Sequence, residues 1–403
     1  MRDSNGRIKL VLILGGLSAF GPLCLDMYLP AFPEIADKLG ASQSQVQLTL
    51  TACMIGLAAG QLVIGPLSDM WGRKRPLLFG VGLFALASLA CVFTTDVASF
   101  TVVRFVQGFA GAAGIVVARA VVRDLYSGAE AAKFFSTLML VFGLAPILAP
   151  VLGGEVTAAA GWRGVFVTLS IFGALLLLVV ALGLPESLPA ERRNTGGLRA
   201  VGRAARTLFG DRLFIGLSLT SAFAGAALFA YISGSPFVIQ DIHNASPQLF
   251  SIIFGVNALG FVLVGQLNGR LVGRFGARRL LGIGITVNVV SALALLLTTV
   301  IGTLGLVGLL IPLFTLVASI GMISPNALAL GMADHPEIAG SASALLGMVQ
   351  FLVAAVTAPL VGLGGGGTAL PMAITIATVS TLAVLALTVI ARRRAPADLP
   401  LPA

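Results

Sequence analysis

Asp26 lies inside an apolar run that begins near Leu10 and reads VLILGGLSAFGPLCLDMYLP from Val11 to Pro30. A charge at mid-helix costs about 3 kcal/mol to insert into a bilayer, and more on an isolated helix, so an acid there is read first as a proton or ion site. A structural role near a helix end, wetted or paired, is the other reading of the same residue. Arg104 interrupts a second apolar run, with Gln107 one turn further on. At 1.5 Å per residue Arg104 falls ~9 Å from the end of its helix, and Asp26 ~10 Å from the same-side end of its own. Opposite charges at one depth can pair, and pairing favours the charged acid while desolvation favours the neutral one. A purely structural ion pair is the alternative. Glu155 is a further acid near a helix end, either an accessory proton or cation site or an interfacial group. Asp69 and Arg73 stand one helical turn apart; the acid can meet a helix N-terminus and the arginine can bridge to another acid.

The elements that hold these residues are membrane helices. The chain has 403 residues, 57% hydrophobic and 10% charged, against about 25% charged in soluble domains. Its 49 glycines let helices approach closely in lipid. Cys24, Cys53 and Cys91 are odd in number and lie in apolar runs, with no disulfide framework and no metal pattern. His243 and His335 are too few for a metal cluster. No Gly-Lys dipeptide occurs, so there is no Walker-type phosphate loop, and nothing points to an enzyme. The apolar run near the N-terminus continues past Asp26, which reads as a retained first helix, not a cleaved leader.

Twelve spans of about 20 residues are expected, over 10–33, 46–68, 76–94, 98–122, 134–157, 162–184, 213–237, 248–270, 279–299, 303–330, 339–362 and 368–391. The polar stretch 185–212 divides them into an N-terminal half, 1–184, and a C-terminal half, 213–403. All but four of the 25 lysines and arginines fall on one side of this map; Lys38 and Arg163 fall on the other, and Arg104 and Arg119 within a span. Positive charge marks the cytoplasmic side, so both termini and the central loop are expected there. The net charge of +9 is thus a topology signal and does not point to nucleic acid. Gly65-Pro-Leu-Ser-Asp-Met-Trp-Gly-Arg-Lys-Arg after span two finds an echo 200 positions later, from Gly265 through Arg279, after span eight. Two related halves around a mid-membrane site is a transporter architecture.

The motifs resemble a twelve-span major facilitator, and more closely a Bcr/CflA-type drug–proton antiporter, along essentially the whole chain. LDMYLPAFP (Leu25 to Pro33) resembles the first-helix signature, GPLSDMWGRKRPLL (Gly65 to Leu78) the loop 2–3 motif, RFVQGFAGAAG (Arg104 to Gly114) the fourth-helix motif, and GLAPILAPVLGG (Gly143 to Gly154) the fifth-helix antiporter motif. The resemblance implies an all-α fold of two six-helix halves around a central cavity. It implies proton coupling through Arg104 with Gln107, and a latch of Gly65, Asp69, Gly72 and Arg73 with Asp124 and the start of span eleven. It assigns Gly143, Pro146, Pro150, Gly153 and Gly154 to antiport, on a helix that glycine and proline make thin and bendable. An apolar, aromatic pocket with sparse amides is expected, with candidates Tyr28, Phe142, Tyr231, Phe237, Asn257 and Asn326. Core or lipid-facing packing fits each aromatic as well. The implied activity is efflux of amphiphilic drugs across a bacterial inner membrane by a monomer, driven by the proton gradient with no cofactor. Export of a physiological metabolite is the alternative.

Overall fold

The computed structural model describes residues 4–126, 128–193, 206–302, 304–333, 339–364 and 367–391. Among them eleven helices are long and apolar enough to cross a membrane. A twelfth comes from the helix Gly128–Gly183, whose 56 residues would reach ~84 Å, nearly three times a hydrocarbon core of about 30 Å. It breaks at Gly161, where φ is 68° and ψ −178°. The chain reverses there. The Trp162 amide donates to Glu34 (3.0 Å) and Arg163 Nε to the Val92 carbonyl (2.9 Å), at the ends of spans one and three. At the other end Lys74 Nζ, at the start of span three, donates to the Ala181 carbonyl (2.9 Å). Spans five and six are therefore Gly128 to Ala160 and Trp162 to Gly183.

The remaining spans are Gln43–Trp71 (two), Lys74–Val92 (three), Val97–Leu125 (four), Arg212–Phe237 (seven), Pro247–Phe275 (eight), Ala277–Ile301 (nine), Gly305–Met332 (ten), Ala339–Thr357 (eleven) and Leu370–Leu385 (twelve). The starts of spans two, four, seven and eight are capped by short polar side chains that satisfy the first free amides. Ser42 and Gln45 form a reciprocal capping box, Asp96 accepts from Ala98 and Ser99, and Ser246 accepts from Leu249. Span one departs from the single helix expected over 10–33. It runs as Ser4–Ser18, Phe20–Asp26, a 3-10 turn Leu29–Ala31 and Phe32–Lys38. Pro22, Pro30 and Pro33 each remove an amide donor from this stretch.

Spans two and eight are both 29 residues long and start 204 residues apart, one turn more than the sequence echo indicated. In this register the turn Gly72-Arg-Lys-Arg faces Gly276-Ala-Arg-Arg, and both glycines have positive φ, 88° and 77°. Asp69 then corresponds to Gly273, so the acid belongs to one half only. Span two crosses span four so closely that a Cβ on Gly108 would strike the Cys53 backbone. The C-terminal half repeats the crossing between spans eight and ten, with Gly321 against Phe261 and Gly265.

The two halves meet on the face opposite the basic turns. Ser44 donates to the Pro359 carbonyl (3.3 Å), Gln47 to Ser233 (3.1 Å), Thr51 to Ala355 (3.2 Å) and Gln240 to Pro30 (3.1 Å). Phe32 packs on Phe237 at 5.8 Å between centroids. This face of the cleft is closed.

Candidate functional site

The helical hydrogen-bond ladder of span one stops at Met27, whose amide still donates to Leu23. The Cys24 carbonyl is thereby left without its helical donor, and Arg104 from span four fills the vacancy, Nη2 to O at 2.8 Å. The guanidinium also donates to Gln107, which in turn donates to Ser88 at 2.7 Å. It lies 4.1 Å from the centroid of the Tyr28 ring, a cation–π contact, while the Tyr28 hydroxyl bonds Thr49 (3.1 Å). Arg104 is fully buried.

Asp26 and Arg104 do not pair. Asp26 is two residues beyond Cys24, and residues at that spacing project from different sides of a helix. Among the described residues Asp26 has no ion pair and no hydrogen bond to a side chain. It is 7% exposed where Arg104 is 0%, so of the two only the acid is not wholly covered by protein. It is within Coulombic reach of Tyr231 in the other half. Tyr231 stacks on Phe254 (5.6 Å, 17°) and accepts a hydrogen bond from Asn257 (2.8 Å). Tyr231 and Asn257 thus form one bonded pair, of which Tyr231 is the member within electrostatic reach of Asp26.

The other pocket candidates go elsewhere. Tyr28 is committed to Arg104 and Thr49 inside the N-terminal half. Phe237 packs in the closed face. Asn326 donates to Asn268 (2.6 Å) and to the Met322 carbonyl (2.7 Å), which makes it a brace between spans eight and ten with no amide hydrogen left for a ligand. The side chain of Phe142 lies outside the described residues, as does His335.

On the basic face the structure brings Asp69, Arg73 and Asp124 together. Arg73 donates to Asp69 (2.5 Å), to Asp124 through Nε (2.8 Å), and to Ser68 (2.9 Å), whose hydroxyl donates to the Gly65 carbonyl (2.8 Å). Burial of Arg73 works against its charge, but the bonds to Asp124 and Asp69 outweigh it and hold the guanidinium protonated. The side chains at the start of span eleven lie outside the described residues, so the cluster is seen only from the N-terminal half. Sequence reasoning missed Glu186. Its carboxylate accepts from the amides of Arg73 (2.8 Å), Lys74 (3.1 Å) and Leu188 (3.0 Å), capping span three beside the Gly72 turn. Partial burial pushes this carboxyl up, yet the three amides and Arg193 hold it below the ordinary Glu range.

The model of the Major Facilitator Superfamily matches residues 14–359. The chain belongs to the major facilitator superfamily. An MFS-type transporter of Bacillus subtilis (strain 168), YdgK, named as uncharacterized, is 44% identical over 91% of each chain. A bicyclomycin resistance protein homolog of Haemophilus influenzae is 35% identical over 96% of this chain and 97% of its own. A chloramphenicol resistance protein of Pseudomonas aeruginosa is 30% identical over 95% and 90%. These relatives agree with the Bcr/CflA-type resemblance of the motifs. Among solved structures, the nucleoside transporter NupG superposes with a TM-score of 0.79 at 16% identity, covering 95% of this chain and 99% of that one. The xylose transporter XylE from E. coli, in a partially occluded inward-open conformation, gives 0.71 at 14%, covering 94% and 97%. Both establish the fold alone.

In this major facilitator the fifth-helix motif lines a seam. Gly153 packs against the Met27 carbonyl at the break in span one, and Gly154 against Ser251 of span eight in the other half. Pro146 and Pro150 lie inside the helix; the surroundings of Gly143 lie outside the described residues. Glu155 points away from the seam. It shares an exposed stripe with Leu144, Leu148 and Leu152, which sets it apart from the buried Gly153 and Gly154. Gln47, Thr51 and Gln240, which tie the halves together, were not singled out in the sequence. Amides and hydroxyls in apolar helices are the only signal they leave.

Proposed function

We propose that this transporter exports small amphiphilic compounds, antibiotics among them, in exchange for protons across a bacterial inner membrane, with its termini and central loop in the cytoplasm. The basic face is then cytoplasmic, and the closed face makes this an inward-facing arrangement. One observation carries the proposal: Asp26 is a buried carboxyl at a break in its helix, with no cation bonded to it among the described residues. An uncompensated charge in an apolar surround is costly, and taking up a proton removes that cost. The nearby base is already held by a backbone carbonyl and an amide, so Asp26 is free to change its charge.

In the proposed cycle Asp26 takes a proton from the outer side. The closed outer face then re-forms, and a ligand entering from the cytoplasm stacks on Tyr231 and Phe254 and drives the proton off to the cytoplasm. Exchange of one neutral ligand for one proton moves one charge inward, so the membrane potential adds about 2.3 kcal/mol per 100 mV to the pH gradient. The resistance names of two relatives support an antibiotic as cargo. The test is reconstituted protein in liposomes with an imposed pH gradient and a panel of bicyclomycin, chloramphenicol and cationic dyes. Export that follows the gradient and vanishes in Asp26→Asn is expected; export that survives collapse of both pH and voltage overturns the proposal.

A further inference from the structure

The sulfurs of Cys24 and Cys53 lie 3.1 Å apart, joining the last turn before Asp26 to span two. Both are free thiols and both are fully buried. Arg104 Nη1 is 3.5 Å from the Cys24 sulfur, and the Nε of the same guanidinium has no hydrogen-bond partner. No carboxylate bonds this buried cation among the described residues, and a buried cation calls for an anion. A thiol beside a guanidinium is the arrangement that makes a cysteine nucleophilic. A second thiol within hydrogen-bonding distance is placed to resolve whatever the first one forms. Cys91, although buried nearby, makes no such contact.

We infer that Cys24 and Cys53 are a peroxide-reactive dithiol, with Arg104 activating Cys24, and that their oxidation to a disulfide pins the break in span one. The Cys24 thiolate attacks one oxygen of hydrogen peroxide, the O–O bond breaks, hydroxide leaves, and the sulfur becomes a sulfenic acid. The Cys53 thiol attacks that sulfur, the S–O bond breaks, and the Cys53 proton leaves with the oxygen as water. The proton first lost by Cys24 meets the hydroxide, so two thiols and one peroxide give one disulfide and two waters. The two electrons pass from sulfur to peroxide. A small dithiol such as dithiothreitol reverses the step by exchange. Closing the sulfurs to a bond of about 2.05 Å requires ~1 Å of movement. Gly108 holds the Cys53 backbone in place, so Cys24 makes that movement. Hydrogen peroxide is neutral and close to water in size, and Asp26, two residues along the chain, is not wholly covered by protein.

The test uses the full chain in liposomes treated with hydrogen peroxide and mapped without reduction. The expected result is a Cys24–Cys53 link with Cys91 free, reversed by dithiothreitol. In Cys53→Ser the sulfenic acid persists and dimedone labels Cys24; in Cys24→Ser dimedone labels neither remaining cysteine. Amide hydrogen exchange of residues 27–31 slows about threefold on oxidation of the native chain, as expected for a segment losing a local opening. Thiols that stay free in excess peroxide, a link through Cys91, dimedone on Cys53, or unchanged exchange in the linked protein would each overturn the inference. None of these readings depends on what the transporter carries.

Discussion

Arg104 makes a forked set of contacts that a single ammonium cannot reproduce: the Cys24 carbonyl, Gln107, and the face of Tyr28. Arg104→Lys keeps the charge and loses the fork and the stacking. The expected outcome is about a tenfold fall in transport rate with the protein still in the membrane, measured as initial efflux against expression level. Asp26→Asn keeps shape and removes titration, so ligand binding persists while the response to a pH gradient is lost. Both residues were legible in the sequence because a charge in an apolar run has few innocent explanations. Their relationship was not. Depth along an unbroken helix placed them side by side, whereas the break after Asp26 and the two-residue offset from Cys24 turn them apart. Asn326 shows the same limit: its type suited a ligand contact, and only the position of Asn268 reveals that its hydrogens are used.

At the scale of elements, span three begins on a carboxylate supplied from beyond span six. Glu186→Gln removes the charge from that helix N-terminus and lowers stability by about 0.5–1 kcal/mol. Because the Glu186 carboxyl sits below its ordinary range when folded, its contribution is complete above the unfolded Glu value and is lost as pH falls through the lower folded one. A thermal-unfolding series in acid should show the native chain converging on the Gln variant. Gly161→Ala places a side chain at φ 68°, at a cost of about 1–2 kcal/mol, read as a lower unfolding midpoint. The turn between spans five and six was anticipated within a few residues, since hydropathy dips there. The rupture of span one was not. Its three prolines were visible, but none of them is the donor that the Cys24 carbonyl lacks, which is the Tyr28 amide, and nothing in the sequence says that Arg104 takes its place.

At the scale of the whole molecule, two halves close on one face around Gln47, Thr51, Ser44 and Gln240. Gln47→Leu removes the bond to Ser233 and should shift the population toward opening on that face, seen as a longer spin-label distance between positions 41 and 367. Asp69→Ala removes one of the two acids on Arg73 and should slow turnover without abolishing ligand binding, measured by comparing efflux rate with equilibrium binding. Helix number and the two-half plan followed from hydropathy and from the alternation of basic residues. The seam did not, because each bond across it has only one partner with a distinctive side chain. Its acceptors are main-chain oxygens of Pro30, Ser233, Ala355 and Pro359, which any amino acid at those positions would supply. A saturation-mutagenesis map of this closure should therefore be lopsided, strict at the four donors and permissive at the four acceptors. Since no formal charge takes part, its strength should barely respond to added electrolyte.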